Sequence, residues 1–204
     1  MKHRIAVFAL AFGAWQYSTA QVGNEWINFS QDYYKIPVAK DGVYRLTQAD
    51  LASAGFPVNL DPRNVHLFHR GAEQSIFIAG EADGQWDAGD YLEFYGLRND
   101  GTLDSLLYHP DASAQPHKLY NLFSDSTSYF LTVNGSAGKR MAYYEEANDG
   151  SPTEVAHTNR MLKIFTNGYC LGETFNGVIQ RAGFDKLEGW TSGVIRENQN
   201  FDNT

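Results

Sequence analysis

Cysteine is nearly missing from this chain. Cys170 stands alone among 204 residues, so no internal disulfide can form and the fold must be held by its core. A nucleophilic thiol needs a base beside it; His157 is the nearest histidine in sequence, but Asn167-Gly168-Tyr169-Cys170-Leu171-Gly172 reads as strand or turn, which makes Cys170 a small buried hydrophobe. Positive charge is also scarce, with 16 lysines and arginines against 24 acids and a formal charge of −8. That balance disfavours nucleic acid and anionic membrane surfaces as partners. Long apolar runs are absent apart from Ile5 to Trp15. That run has about eleven residues where a membrane-crossing helix needs about twenty, so a permanent anchor is disfavoured.

What the beginning of the chain does contain is a secretory pattern. The basic Met1-Lys2-His3-Arg4, the apolar run and the small-residue sequence Ser18-Thr19-Ala20 read as a signal peptide over residues 1–20, with cleavage expected between Ala20 and Gln21. No cysteine follows to carry a lipid, so export to the periplasm or the outer-membrane surface is expected. Loss of Lys2 and Arg4 makes the mature chain still more negative. Aromatic residues make up 14% and recur in short alternating runs, the signature of strands rather than helices.

The pattern predicts a mainly β protein: a β-sandwich, jelly-roll-like, over residues 21–133 with one short helix, a polar, glycine-rich linker over 134–152, and the start of a second β unit over 153–204. Tyr34 to Val38 and Val43 to Leu46, joined through Lys40-Asp41-Gly42, read as a β-hairpin with Gly42 in a left-handed bulge position. Pro37 lacks a backbone donor and places its strand at a sheet edge or turns outward. Thr47 to Gly55 carries a capping threonine, an acid three residues on and a terminal glycine, the marks of a two-turn helix that Leu46 and Leu51 staple. Further strands are expected at Val65 to Phe68, Ser75 to Ala79, Tyr91 to Tyr95, Lys118 to Phe123 and Tyr129 to Val133. The later region, with Phe165, Phe175, Phe184 and Trp190, has strand character. The segment Arg196 to Thr204 offers no closing strand or helix cap, so the second unit reads as truncated.

Three groups of residues are candidates for chemistry. Glu81, Asp83, Asp87 and Asp90 form a dense set of hard oxygen ligands suited to calcium, although their spacing departs from the common helical calcium loop and Asp and Gly also favour plain turns. His66, His69, His109 and His117 invite zinc, but His66 and His69, three apart on a strand, point to opposite faces. Trp86, Tyr91, Tyr95, Tyr143, Tyr144 and Trp190 are candidates for a sugar- or peptide-binding face, against the commoner use of strand aromatics in cores and cross-strand pairs.

A set of short motifs falls in a recognisable order: Glu25-Trp26-Ile27-Asn28-Phe29, Tyr34-Lys35-Ile36, Lys40-Asp41-Gly42-Val43-Tyr44-Arg45-Leu46-Thr47, Leu67-Phe68-His69-Arg70-Gly71, Asp83-Gly84-Gln85-Trp86, Asp90-Tyr91-Leu92-Glu93-Phe94-Tyr95-Gly96 and Asn99-Asp100-Gly101. Together they resemble the amino-terminal β region of gingipain-like cysteine peptidases, family C25, and among these the sortase-like members of the type IX secretion system in Bacteroidetes. Phe184-Asp185-Lys186-Leu187-Glu188-Gly189-Trp190 is similar to the family's stretch ending in Glu-Gly-Trp, with Leu187 where a glycine is commoner. The resemblance implies a parent enzyme that cleaves sorting signals from secreted cargo and attaches that cargo to a surface glycolipid. Its catalytic histidine and cysteine would belong to a peptidase domain downstream of Thr204, so no catalytic residue is expected here. The implied partners are that domain, type IX secretion components and their cargo. The competing expectation is a stand-alone secreted binding module for glycan or a secretion partner.

Overall fold

The computed structural model describes residues 23–145, 150, 156, 158, 163, 165–173 and 183–192. The expected leader, His157, Phe175 and the segment from Arg196 to Thr204 lie outside the described residues. In chain order the elements are β1 (Tyr34–Val38), β2 (Gly42–Thr47), α1 (Gln48–Ser53), β3 (Val65–His69), β4 (Ala72–Gln74), β5 (Phe77–Ala79), β6 (Tyr91–Gly96), β7 (Thr127–Val133), β8 (Gly168–Cys170) and β9 (Gly189–Thr191). One sheet has the order β1-β7-β3-β4, a second has β2-β6-β5, and β8 pairs with β9 as a separate ribbon; every named pair is antiparallel. The chain passes repeatedly between the two larger sheets, and the first and third strands of one sheet flank its last. This is a jelly-roll-like β-sandwich, as the alternating aromatics predict.

The core lies between the sheets. Val38, Leu67 and Leu131 from the first sheet and Leu92 and Phe94 from the second are fully or almost fully buried in one cluster. The rings of Phe94 and Tyr129 meet across it at 5.1 Å, and the Leu97 N–H donates to Tyr129 Oη at 2.9 Å. β3 is buried on successive residues, Val65, His66 and Leu67, so its outer face is covered too. Trp26 supplies some of that cover, stacking on Phe68 at 5.1 Å and lying 5.7 Å from Phe130.

The helix is built as its sequence predicts. Thr47 Oγ1 accepts from the Asp50 N–H and the Asp50 carboxylate accepts from the Thr47 N–H, a reciprocal capping box. Gly55, at φ 81°, ends the helix; its N–H reaches the Ala52 carbonyl and the Phe56 N–H reaches that of Leu51, the paired bonds of a Schellman turn.

Four local expectations are corrected. The first two strands exist and turn Ile36, Val38, Tyr44 and Leu46 toward the core, but they do not pair: β1 joins β7 and β2 joins β6. Inward alternation is identical for a hairpin and for two strands in opposed sheets, so the pattern sets the face without setting the partner. Gly42, at φ 159°, is extended backbone rather than a left-handed bulge. Pro37 does lie on an edge strand, exposed opposite Ser128.

Lys118 to Phe123 forms no strand. The buried carboxylate of Asp104 accepts from the Leu122 N–H at 2.8 Å and from the Asn121 side-chain amide, giving the segment a local partner in place of a ladder. Between Ser75 and Ala79 only Phe77–Ala79 is strand, and the separate β4 precedes it. β3 and β4 are joined by Arg70-Gly71, both at positive φ (49° and 80°), the two-residue turn whose twist suits a hairpin.

After β7 the chain crosses back over the sandwich. The Gly138 N–H donates to the Arg63 carbonyl, Arg140 bridges in parallel to Ile76, and the Met141 N–H reaches the Ile76 carbonyl. The beginning of the expected linker is thus a strap laid on the body. Among the described residues no helix is long and apolar enough to cross a membrane.

Candidate functional site

The acidic candidates are drawn to different partners. The Glu81 carboxylate accepts from Arg140 Nε at 2.7 Å, Asp83 from the Gln85 N–H at 3.0 Å, and Asp90 from the Asp87 N–H at 2.8 Å. Gly80, at φ 88°, lies so close against the Asp90 carboxylate that a side chain there would overlap it. The loop brings Asp87 and Asp90 into one turn and sends Glu81 to the strap. Among the described residues no group of three or more His, Cys, Asp or Glu side chains is assembled as a metal site.

The histidines are likewise separated. His66, nearly fully buried, lies between the Glu73 carboxylate (Nδ1 to Oε1, 2.7 Å) and the Ser136 carbonyl (Nε2 to O, 3.1 Å). His69, on the other face of β3, stacks on Tyr129 at 4.2 Å and contacts Thr127 Oγ1 at 3.0 Å. Burial, aided by the neighbouring Arg70, pushes the His69 imidazole below its ordinary pKa. The aromatic candidates also divide: Trp86 is buried in the core, Tyr95, Tyr143 and Tyr144 are exposed, and Trp190 belongs to the β8–β9 ribbon.

What the sequence did not bring together is a cavity of about 350 Å³ where that ribbon meets the segment from Tyr108 to Leu122. Its walls include Tyr108, Tyr120, Leu122, Leu187 and Trp190, with His117, Cys170 and Thr191 also lining it. Three hydrogen bonds fasten the ribbon there. Tyr108 Oη donates to the Glu188 carbonyl at 2.6 Å, Tyr120 Oη to the Trp190 carbonyl at 3.0 Å, and Trp190 Nε1 to the Leu122 carbonyl at 2.9 Å. Phe184 packs edge-on to Tyr108, and its N–H donates to the Leu107 carbonyl. Burial, then the Glu188 and Asp104 carboxylates, raise the Tyr108 phenol to about 12; burial also raises Tyr120. Both phenols are neutral donors at physiological pH.

No family model, curated protein or solved structure matches this chain.

The aromatic count gave a hint of this cavity but not its members. Tyr108 and Trp190 are 82 residues apart in numbering, and the contact rests on the buried Asp104 holding Asn121 and Leu122 in place. His157, the histidine nearest Cys170 in sequence, lies outside the described residues. Cys170 itself sits partly buried at the cavity.

Proposed function

We propose that this chain is the non-catalytic amino-terminal β region of an exported gingipain-like cysteine peptidase of the type IX secretion sortase kind, acting as a scaffold that positions a peptidase domain. One observation carries the reading: the short motifs behind the family resemblance are engaged with one another. Gly42–Thr47 pairs along its whole length with Tyr91–Gly96. Trp26 stacks on Phe68, and a Cβ on Gly71 would sit 3.1 Å from the Trp26 ring. Arg70 pairs with Asp100 at 2.8 Å and reaches Asn99 at 3.0 Å, while the Asp41 carboxylate accepts from the Arg98 N–H at 2.7 Å. Residues that serve as one another's packing and hydrogen-bond partners are framework, which suits an accessory, positioning role.

The test is to read the gene beyond the codon for Thr204 and to assay the product of the whole frame for peptide hydrolysis. A frame that enters a domain with a histidine–cysteine pair, and loses hydrolysis when that distant cysteine is replaced but keeps it in Cys170→Ser, is expected. A stop codon directly after Thr204 overturns the reading. The second reading, an exported binding module, draws its support from the aromatic cavity beside Trp190.

A further inference from the structure

The cavity beside Trp190 has more specific chemistry than a surface hollow, and it can be read without reference to any parent enzyme. Its polar wall atoms are largely engaged internally. Tyr108 Oη, Tyr120 Oη and Trp190 Nε1 all donate to backbone carbonyls, and the Gln115 amide is held at both ends, Nε2 by the Gly101 carbonyl and Oε1 by Ser105 Oγ. The walls therefore present ring faces and the aliphatic chains of Leu122 and Leu187. A sugar, with a hydroxyl on nearly every carbon, would leave most of those hydroxyls unpaired there, at a cost of about 1–3 kcal/mol for each one buried. A flat apolar ring meets no such cost and gains aromatic contact.

Two polar groups remain. His117 is exposed and its Nδ1 accepts from the Leu119 N–H at 3.3 Å, which leaves Nε2 to carry the proton of the neutral ring. The Thr191 hydroxyl has no hydrogen-bond partner among the described residues and also lines the cavity. We propose that this cavity is a binding site for a small phenolic ligand, its ring between the Tyr108, Tyr120 and Trp190 walls and its oxygen accepting a hydrogen bond from His117 Nε2–H. A volume of about 350 Å³ suits a single substituted ring.

Cys170 makes the test direct, because it is the chain's only thiol and it lines the cavity. The reaction of Cys170 in the full chain with a chromogenic disulfide reagent is followed in the presence of p-cresol, toluene or glucose. Saturating p-cresol is expected to slow labelling by at least about fivefold, toluene to protect more weakly and glucose to leave the rate unchanged. His117→Ala, at an exposed position, is expected to weaken p-cresol by about three- to tenfold, the loss of one hydrogen bond, while leaving toluene protection as it was. Absence of saturable protection by p-cresol overturns the proposal, as does protection by glucose. An equal loss of p-cresol and toluene in His117→Ala would reduce His117 to a structural role and overturn the phenol assignment.

Discussion

Replacing Arg140 with methionine removes the charge from the strap while keeping a long apolar stem. The guanidinium makes three contacts with the sandwich: Nε to Glu81 at 2.7 Å, Nη2 to the Pro62 carbonyl at 2.9 Å and Nη1 to the Val65 carbonyl at 3.2 Å. Methionine leaves both carbonyls and the Glu81 carboxylate without this donor. Breaking a fully buried pair costs about 3–5 kcal/mol, and an exposed pair about 1 or less. The side chains of Arg140 and Glu81 are 22% and 26% exposed, which places this pair between those limits. With two further charged hydrogen bonds lost, the expected destabilisation is about 2–4 kcal/mol. For a urea slope of about 2 kcal/mol/M the unfolding midpoint should fall by about 1–2 M, read by tryptophan fluorescence. Glu81→Gln, which keeps an acceptor for Nε, should cost less, and the double variant should show coupling. A midpoint shift under about 0.2 M, roughly 0.4 kcal/mol at that slope, would show that the strap rests on the surface without securing it.

Gly138→Ala tests the same strap sterically: its Cβ would overlap the Val65 carbonyl oxygen, so a loss of about 1–3 kcal/mol is expected in urea unfolding, against almost none at the open Gly135. Thr47→Ala should cost about 1 kcal/mol by removing the helix cap. Hydrogen bonds from Thr47 hold the Asp50 carboxyl below its ordinary pKa, and those of Arg63 and Ser113 do the same for Asp61 and Asp111. These depressed values mean stability that is complete above the unfolded carboxyl pKa near 4 and declines as pH falls through the folded values, so thermal unfolding scans should shift downward only on the acid side. Tyr108 has the opposite sign: its raised pKa adds stability that is complete below about 10 and is lost as pH rises toward 12, so alkaline titration should release the ribbon, seen as faster labelling of Cys170, and Tyr108→Phe should release it already at neutral pH.

Local rules carried much of the fold. The Thr47 and Asp50 box, the Gly55 stop, the edge position of Pro37 and the core-facing alternation of Ile36, Val38, Tyr44 and Leu46 follow from interactions within a few residues, which a sequence window contains. Pairing does not. Tyr34 lies opposite Leu131, and Tyr44 opposite Phe94, so the partner is set by which strands can share a core. The strand expected at Lys118 to Phe123 fails for the same reason: its apolar and aromatic residues fit a strand, but Asp104, 18 positions before Leu122, takes the backbone donor.

The candidate site was less legible because its members are polar or aromatic residues with ordinary local meanings. Glu81, Asp83, Asp87 and Asp90 suit a cation by density, yet density does not say where a carboxylate points, and the distant Arg140 engages Glu81. The cavity needed residues from the segment around Tyr108 to Leu122 and from both strands of the ribbon, each unremarkable alone.

Leu187 is where sequence and backbone inform each other most directly. Its backbone is left-handed, at φ 63°, a conformation that glycine adopts most readily. A branched side chain in that region costs about 1–2 kcal/mol relative to its ordinary conformations, and glycine adopts it freely. Two effects oppose the exchange: glycine costs about 0.5–1 kcal/mol more in chain entropy, and the leucine is only half exposed, so some apolar contact with the cavity wall is lost. Leu187→Gly should therefore change total stability by less than about 1 kcal/mol, while Leu187→Ala, which keeps the strain and loses the contact, should destabilise by more. Comparing the two in urea separates backbone from side chain. If alanine proves at least as stable as glycine, strain in the left-handed turn is not what Leu187 costs the ribbon, and the side-chain contact with the cavity wall dominates instead.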